Sequence, residues 1–486
     1  MSNTSHEKDT DPTERGFVPQ NQELTNKINP KDPKLLDTIA RKYSVKIVGE
    51  SNNLKTLTCC FVSKDLPKKY RLSAIISNSS STGKSYLLNN VLQPFKNDLI
   101  DYTDFTEAHF KRSQHNVDGK IIKLEQLERV NDDKQLSIQR LKHLLTEGVL
   151  KFGCVDKGEK GENTPKDFVV TGYPVFVTTA TKFDIDSETA NRVFMMELDE
   201  SDIQTERIIK YTLSDYSKIK ANDEWESNIE TLTTFFKQLK KMAQHTEGIL
   251  IPFADKLDSI IPKHLEIRRD LAKILNLTCV IAFIHGLNRP YLQDNKPKHF
   301  LTDSFGSTEK EYTYWIVAKP EDFIEALEIA GQTIKQTINK TSTKQMQLLS
   351  LVKKLYSENC ALEARGVKVK EVVKTSGYSE NRAREILNWL ANSGFLTKDD
   401  INKENQYFPT EKKFSDLEAT NIAFTQEEFA SWLKIELESL GERYSLVGSW
   451  DGDSSSKIGD FTNKKEVNDA TNPNSCQIVS KEITSQ

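Results

Sequence analysis

The chain has few of the features that mark metal-binding, secreted or membrane-spanning proteins. Its six cysteines, at 59, 60, 154, 279, 360 and 476, form no CxxC pair and have no histidine partner at zinc spacing. They name no metal site and predict reduced thiols in a cytosolic compartment. The opening MSNTSHEKDTDPTERG lacks the basic-then-apolar plan of a signal peptide. No run approaches the roughly 18 apolar residues of a membrane helix, so the expectation is a cytoplasmic protein without a membrane partner. Charge of one sign is also missing. The 67 Lys and Arg stand against 71 Asp and Glu, a net charge of -4, which excludes a global basic field and leaves only local patches for nucleic acid. No internal repeat is present. A length of 486 residues predicts two or three domains, since single cores rarely grow past about 250 to 300 residues.

What is present is concentrated in Arg71 to Leu88, RLSAIISNSSSTGKSYLL. Leu72 to Ile76 reads as a buried strand, Ser and Thr fill a turn, and an apolar helical pattern restarts at Tyr86. A Gly-Lys-Ser turn between strand and helix points backbone N–H groups and a helix N-terminus at anionic oxygens. The nucleotide-binding residues are therefore read as Asn78, Ser79, Ser80, Ser81, Thr82, Gly83, Lys84, Ser85 and Tyr86. Lys84 reaches the β/γ-phosphates of ATP, and Ser85 holds Mg²⁺. The usual pattern opens with Gly, and Asn78 stands there instead; Asn tolerates left-handed backbone better than most residues.

The expected fold class is α/β, a P-loop core followed by a winged helix-turn-helix. Residues 1–32 are too polar to order themselves and read as a disordered tail. Residues 33–69 form a small lead-in, with a helix LLDTIARKY and two strands, VKIVG and LKTLTCCFVS. The core covers 70–212. A helical lid or bridging region spans 213–344, with amphipathic helices at Asn222–Met242 and Arg268–Leu287. The winged helix covers 345–410. The last segment, 411–486, holds one short helix near Glu427–Leu440 and a disordered tail.

An ATPase needs an acid at the end of a neighbouring strand to hold the Mg²⁺ shell and orient water. Glu125 supplies it after the strand Ile121–Leu124, with Gln126 where many ATPases carry a second acid; the competing reading is a solvated loop. Further on, VLKFGCVD and KDFVVT read as a hairpin around KGEKGENTP. In a ring ATPase such a hairpin offers Lys157 and Lys160 to a DNA backbone, and otherwise it is a charged surface loop. PVFVTTAT is a second buried strand that ends in Thr178 and Thr179, with Thr179 as a γ-phosphate sensor. Arg192 follows where oligomeric ATPases present an arginine to a neighbouring subunit; its alternative is a surface ion pair with Glu188.

The succession TCCFVSKDL, SNSSSTGKS, DFTEAHF, GKIIKLEQLE, LKHLLTEGVLKF, GYPVFVTTAT, SETANRVFMMELDES with Gln204 and Thr205, and IRRDLAKILNLTCVIAFIHGLNR resembles the helicase half of primase-helicases from phages, plasmids and integrated elements. That family joins an AAA+-like P-loop ATPase, related to superfamily three helicases, to a winged helix. Over about 45–410, the resemblance implies ATP-driven translocation or remodelling of single-stranded and duplex DNA by a ring homo-oligomer. It implies catalytic roles for Lys84, Glu125, Thr179 and Arg192, and a second sensor at Arg268 and Arg269. Asn78 and Gln126 depart from the pattern and bear on hydrolysis rate more than on binding. The region before residue 70 is too short for a primase domain and has no zinc ribbon, so primer synthesis falls to a separate primase. Two other classes stay open: a DNA-binding regulator switched by ATP, and an adaptor whose P-loop is only structural.

Between Gln345 and Lys398, nine Lys and Arg stand against five Asp and Glu. The helix SENRAREILNWLANSG, with Ser379 as N-cap, presents Asn381, Arg382 and Arg384 outward while Ala383, Ile386, Leu387 and Leu390 pack inward. That is the layout of a recognition helix, with Lys368, Lys370 and Lys374 left for phosphates. Winged helices also dock proteins, and that reading stays open.

Overall fold

The computed structural model describes residues 27–79, 82–102, 116–124, 143–157, 163–180, 193–217, 223–259, 261, 267–296, 299–302, 308–339, 343–362, 365–401, 404–411 and 424–448. The first strands are β1 (Ala74–Ser77), β2 (Leu99–Tyr102), β3 (Ile121–Leu124), β4 (Val149–Lys157), β5 (Asn163–Thr171), β6 (Val175–Ala180) and β7 (Phe194–Met196). Five of them form one parallel sheet in the order β2-β3-β6-β1-β7, and β4 and β5 make the expected antiparallel hairpin. β1, β3, β6 and β7 are buried at every position, as parallel strands covered on both faces must be. Alternation splits their side chains between two cores. Ala74, Ile76, Val177 and Met196 enter one, and Ile75, Phe176, Ala180 and Met195 enter the other.

The register fixes which strand ends meet. Leu124 of β3 stands opposite Thr178 of β6, Thr179 of β6 opposite Ile76 of β1, and Ile76 opposite Met196 of β7. Four carboxyl ends therefore lie along one edge, where open parallel sheets take their ligands.

Helices α1 (Leu35–Tyr43), α2 (Ser51–Val62), α3 (Lys84–Val91), α4 (Asp202–Tyr216), α5 (Asp223–His245), α6 (Ile267–Ile284) and α7 (Pro320–Asn339) follow in chain order. Leu36 of α1, Leu57 and Phe61 of α2, Phe236 of α5, Leu277 of α6 and Phe323 of α7 share one continuous core with a face of the sheet. The lead-in is thus part of the main core and no separate segment. Nor does it contain strands: LKTLTCCFV lies in α2, and VKIVG is irregular. Leu54 to Val62 are buried at every position, so no period distinguished helix from strand. The Thr56 and Thr58 hydroxyls donate to the carbonyls of Asn52 and Leu54 at 2.9 and 2.8 Å. That back-bonding lets hydroxyl residues sit inside a helix.

The bridging region is not purely helical. β8 (Thr246–Leu250), β9 (Tyr291–Asp294), the pair β10 (His299–Thr302) and β11 (Thr308–Glu311), and β12 (Tyr314–Val317) lie between its helices. These strands of four or five residues are too short to signal beside long amphipathic helices. β8, β9 and β12 form a four-stranded sheet completed by a much later strand, β16 (Tyr444–Val447), in the order β16-β9-β12-β8.

Residues 343–411 hold α8 (Thr343–Leu362), β13 (Val367–Lys368), α9 (Val369–Ser376), α10 (Glu380–Asn392), β14 (Leu396–Ile401) and β15 (Glu404–Pro409). β13, β15 and β14 make an antiparallel sheet. Val352, Val372, Ile386, Leu390 and Tyr407 form a core of their own. Gly377 ends α9 at φ +72°, and the Ser379 side chain caps α10 by accepting from the Arg382 N–H.

Last come α11 (Gln426–Leu440) and β16 (Tyr444–Val447). The helix stands where expected, and the strand after it is additional. β16 pairs with β9, and Phe429 and Leu433 of α11 pack on Leu292 and Val317. Of residues 1–32, expected as a disordered tail, 27–32 are described and Ile28 is buried in the main core, so the ordered chain begins earlier than expected; residues 1–26 and 449–486 lie outside the described residues. Among the described residues, no helix is long and apolar enough to cross a membrane.

Candidate nucleotide site

β1 leads directly into the Ser-rich loop and α3. Gly83 caps α3 at φ +86°, and a Cβ built on it meets no atom within 4 Å. A left-handed turn of this kind suits glycine, and the open side lets an anion approach the backbone. Lys84 is 7% exposed. Its Nζ donates to the carbonyls of Asn78 at 2.9 Å and Ser79 at 2.6 Å, reaching back to the start of the loop. Thr82 Oγ1 also donates to the Ser79 carbonyl, at 3.0 Å. The Ser85 side chain is exposed at the helix start. Tyr86 is half exposed, with its hydroxyl donating to the Lys46 carbonyl at 3.3 Å. Ser80 and Ser81 lie outside the described residues. A buried ammonium, a left-handed glycine and an exposed hydroxyl at a helix N-terminus fit a nucleotide phosphate with Mg²⁺.

Asn78 does not stand in for glycine through left-handed backbone. Among the described residues, Glu50 alone combines a positive φ with a side chain beyond glycine. Asn78 works through its amide instead. Oδ1 accepts from the Leu198 N–H at 2.6 Å and Nδ2 donates to the Leu198 carbonyl at 3.1 Å. The side chain mimics a peptide group and carries the β1–β7 pairing one step past the end of the sheet.

The segment after β7, Glu197 to Glu200, carried no sequence signal for this site, yet it braces the loop. Glu200 Oε1 accepts from the Ser79 N–H at 3.1 Å, the Ser79 hydroxyl at 2.6 Å and Asn78 Nδ2 at 3.1 Å. Behind it, Glu50 Oε1 accepts from the Asp199 N–H at 2.8 Å, and Asn53 Nδ2 donates to the Glu197 carbonyl at 2.8 Å. Burial pushes the Glu50 carboxyl up, against the pull of those donors. Ser201 then caps α4, and buried Gln204 donates to the Val48 carbonyl at 2.6 Å. These contacts join residues more than a hundred positions apart, which no local pattern reveals.

Along the same edge, Thr178 and Thr179 are buried at 0% and 3% exposure. Thr179 lies beside Ile76, two residues before Asn78. β3 ends there at Leu124. Glu125, expected to follow with the Mg²⁺ role, lies outside the described residues, as do Arg192 and Lys160. Lys157 is the last residue of β4, and Arg268 and Arg269 lie in the first turn of α6.

The amino edge of the sheet is held by charge. Lys64, 2% exposed, contacts Asp65 at 2.6 Å and Asp98 at 2.8 Å, while Lys240 and Lys120 reach Asp98 at 2.9 and 3.3 Å. Burial alone raises the Asp98 carboxyl, but hydrogen bonds and charge from Lys64 and Lys240 bring it down to about 2. The β4–β5 hairpin roots at this edge too. Arg71 binds Asp118 at 2.8 Å and the Tyr173 carbonyl, and Gly172, at φ +114°, passes so close that a Cβ would stand 2.3 Å from the Asp118 nitrogen.

In residues 343–411, the α10 side chains Asn381, Arg382 and Arg384 are exposed, and Ala383, Ile386, Leu387 and Leu390 are buried. Both arginines are paired within their own helix, Arg382 to Glu385 at 2.9 Å and Arg384 to Glu380 at 2.6 Å. Lys368 pairs with Glu404, while Lys370 and Lys374 are exposed.

No family model and no curated protein sequence matches the chain. Among solved structures, it is similar to a full-length MCM homolog from Methanopyrus kandleri at 15% identity and a TM-score of 0.35. That match covers 66% of this chain and 63% of the other, so the chain spans less than two thirds of that protein's length. A likeness this loose assigns no activity, and the site is read from its own residues.

Proposed function

We propose that the chain is a Mg²⁺-ATP-dependent ATPase of DNA-helicase type, acting as a homo-oligomer in the replication of a mobile element. The observation that carries this reading is Lys84, buried and folded back onto the Asn78 and Ser79 carbonyls at the carboxyl edge of a parallel sheet. In the reading, the loop amides and Lys84 hold the β/γ-phosphates, Ser85 and Glu125 hold Mg²⁺, and Thr179 senses the γ-phosphate. When bound, Mg²⁺ neutralises charge on the transferring phosphoryl group. Arg192 belongs to the neighbouring subunit's site, and Arg268 and Arg269 serve as a second sensor.

The DNA-facing parts of the proposal are the β4–β5 hairpin, with Lys157 and Lys160, and residues 343–411 as a winged helix. The six residues of β6 run from the hairpin root to the threonines, which supports a mechanical link between nucleotide and hairpin. The reading is tested by ATP hydrolysis of the full chain with and without single-stranded DNA. Expected are turnover that rises with DNA and its loss in Lys84→Ala. Tight ATP binding without turnover would favour an ATP-switched regulator, and absence of binding would favour an adaptor.

A further inference from the structure

We infer that Glu200 is a positioning residue for Lys84, an inference that rests on the nucleotide-site reading. The chain of contacts is short and continuous. One carboxylate oxygen, Oε1 of Glu200, accepts from the backbone N–H and the hydroxyl of Ser79 and from the amide of Asn78. The carbonyls of those same two residues accept from Lys84 Nζ at 2.6 and 2.9 Å. Glu200 therefore sets where both acceptors stand, and through them where the ammonium is held.

The brace itself is anchored. The Asp199 N–H is held by Glu50, Asn78 ties Leu198 on both sides of its peptide unit, and Ser201 begins α4. A carboxylate that accepts three donors on one oxygen fixes a loop more firmly than a neutral acceptor does, because charge-assisted bonds are shorter and stronger. The Ser-rich loop has one glycine at its end and asparagine at its start. An outside brace supplies the rigidity that a phosphate site needs before its ligand arrives.

The experiment measures Mg²⁺-ATP affinity of the full chain by calorimetry for wild type, Glu200→Ala, Glu200→Gln, Lys84→Ala and the double variant Glu200→Ala/Lys84→Ala. Glu200→Ala is expected to raise Kd about tenfold and Glu200→Gln, which keeps an acceptor oxygen, about threefold. In the Lys84→Ala background, Glu200→Ala should add less than about twofold, since residues that act through one another are not additive. An equal tenfold effect in both backgrounds overturns the positioning role and leaves Glu200 a general support of the loop. An unchanged Kd in Glu200→Ala, with Lys84→Ala still weak, overturns it while leaving the nucleotide site standing. If Glu200→Ala does not fold, Ser79→Ala removes the hydroxyl donated to Glu200, and the same cycle with Lys84→Ala is run on it. No binding by wild type overturns the site reading and this inference together.

Discussion

The side chain of Asn78 and the peptide unit of Leu198 exchange two hydrogen bonds, N–H to Oδ1 at 2.6 Å and Nδ2–H to carbonyl at 3.1 Å. Residues 120 positions apart are joined where the last main-chain pair of β1 and β7 is Ile76 with Met196. A glycine at position 78 would leave the Leu198 N–H and carbonyl without these partners. The departure from the usual loop pattern is therefore a structural gain at the sheet edge.

Asn78→Gly is accordingly expected to destabilise the protein although it restores the usual loop residue. Loss of three part-buried hydrogen bonds, two with Leu198 and one with Glu200, costs about 1 to 3 kcal/mol. Urea denaturation should show a lower midpoint with an unchanged slope. An unaltered midpoint would mean that water replaces the amide at no cost, and that Asn78 is neutral at the edge.

How much of this could be read from the sequence follows from the range of each interaction. The loop around Gly83, the strands at 74, 121 and 175, the hairpin and the α8–β15 succession are written in local turn chemistry and period, and they stand where expected. α2 reads as a strand from sequence because burial on all sides erases its period. The helix α11 stands where expected, but β16 and the packing of both elements carry no local signal, because their partners, β9 and Val317, lie more than a hundred residues earlier. Glu200 was invisible for the same reason. An acid six positions past the start of a three-residue strand looks like any solvated loop until the loop from residue 78 is placed against it.

The amino edge gives a pH dependence with a definite sign. The folded-state carboxyl of Asp98 lies at about 2 against a usual 3.8, so its contribution to stability is complete above about pH 4. That contribution is lost as the pH falls from about 4 towards about 2, because over that window the unfolded chain takes up the proton while folded Asp98 stays ionised. Asp98→Asn should flatten the stability profile in that window and lower stability at pH 7 by roughly 3 kcal/mol, since three lysines lose their shared partner. The measurement is chemical denaturation from pH 2 to 7 for both proteins. Parallel curves would show that Lys64, Lys120 and Lys240 are held by something other than this carboxylate.

The exposed arginines of α10 are expected to exchange their helix partners for DNA. Pairs of this kind, Arg382 with Glu385 and Arg384 with Glu380, are worth only about 0.3 to 0.5 kcal/mol, so a phosphate or a base edge outcompetes them at little cost. The full chain should then bind duplex DNA with an affinity that falls steeply with salt, because each neutralised phosphate releases counterions. Arg382→Ala and Arg384→Ala should each weaken binding. Where the arginine meets a phosphate, the loss is uniform across sequences and the salt slope drops by about one. Where it meets a base edge, the loss depends on sequence. Glu380→Gln and Glu385→Gln remove the competing carboxylates and should tighten binding. A chain that binds ATP but shows no duplex affinity at low salt, in wild type and in both glutamine variants, would turn this module from DNA contact to protein docking.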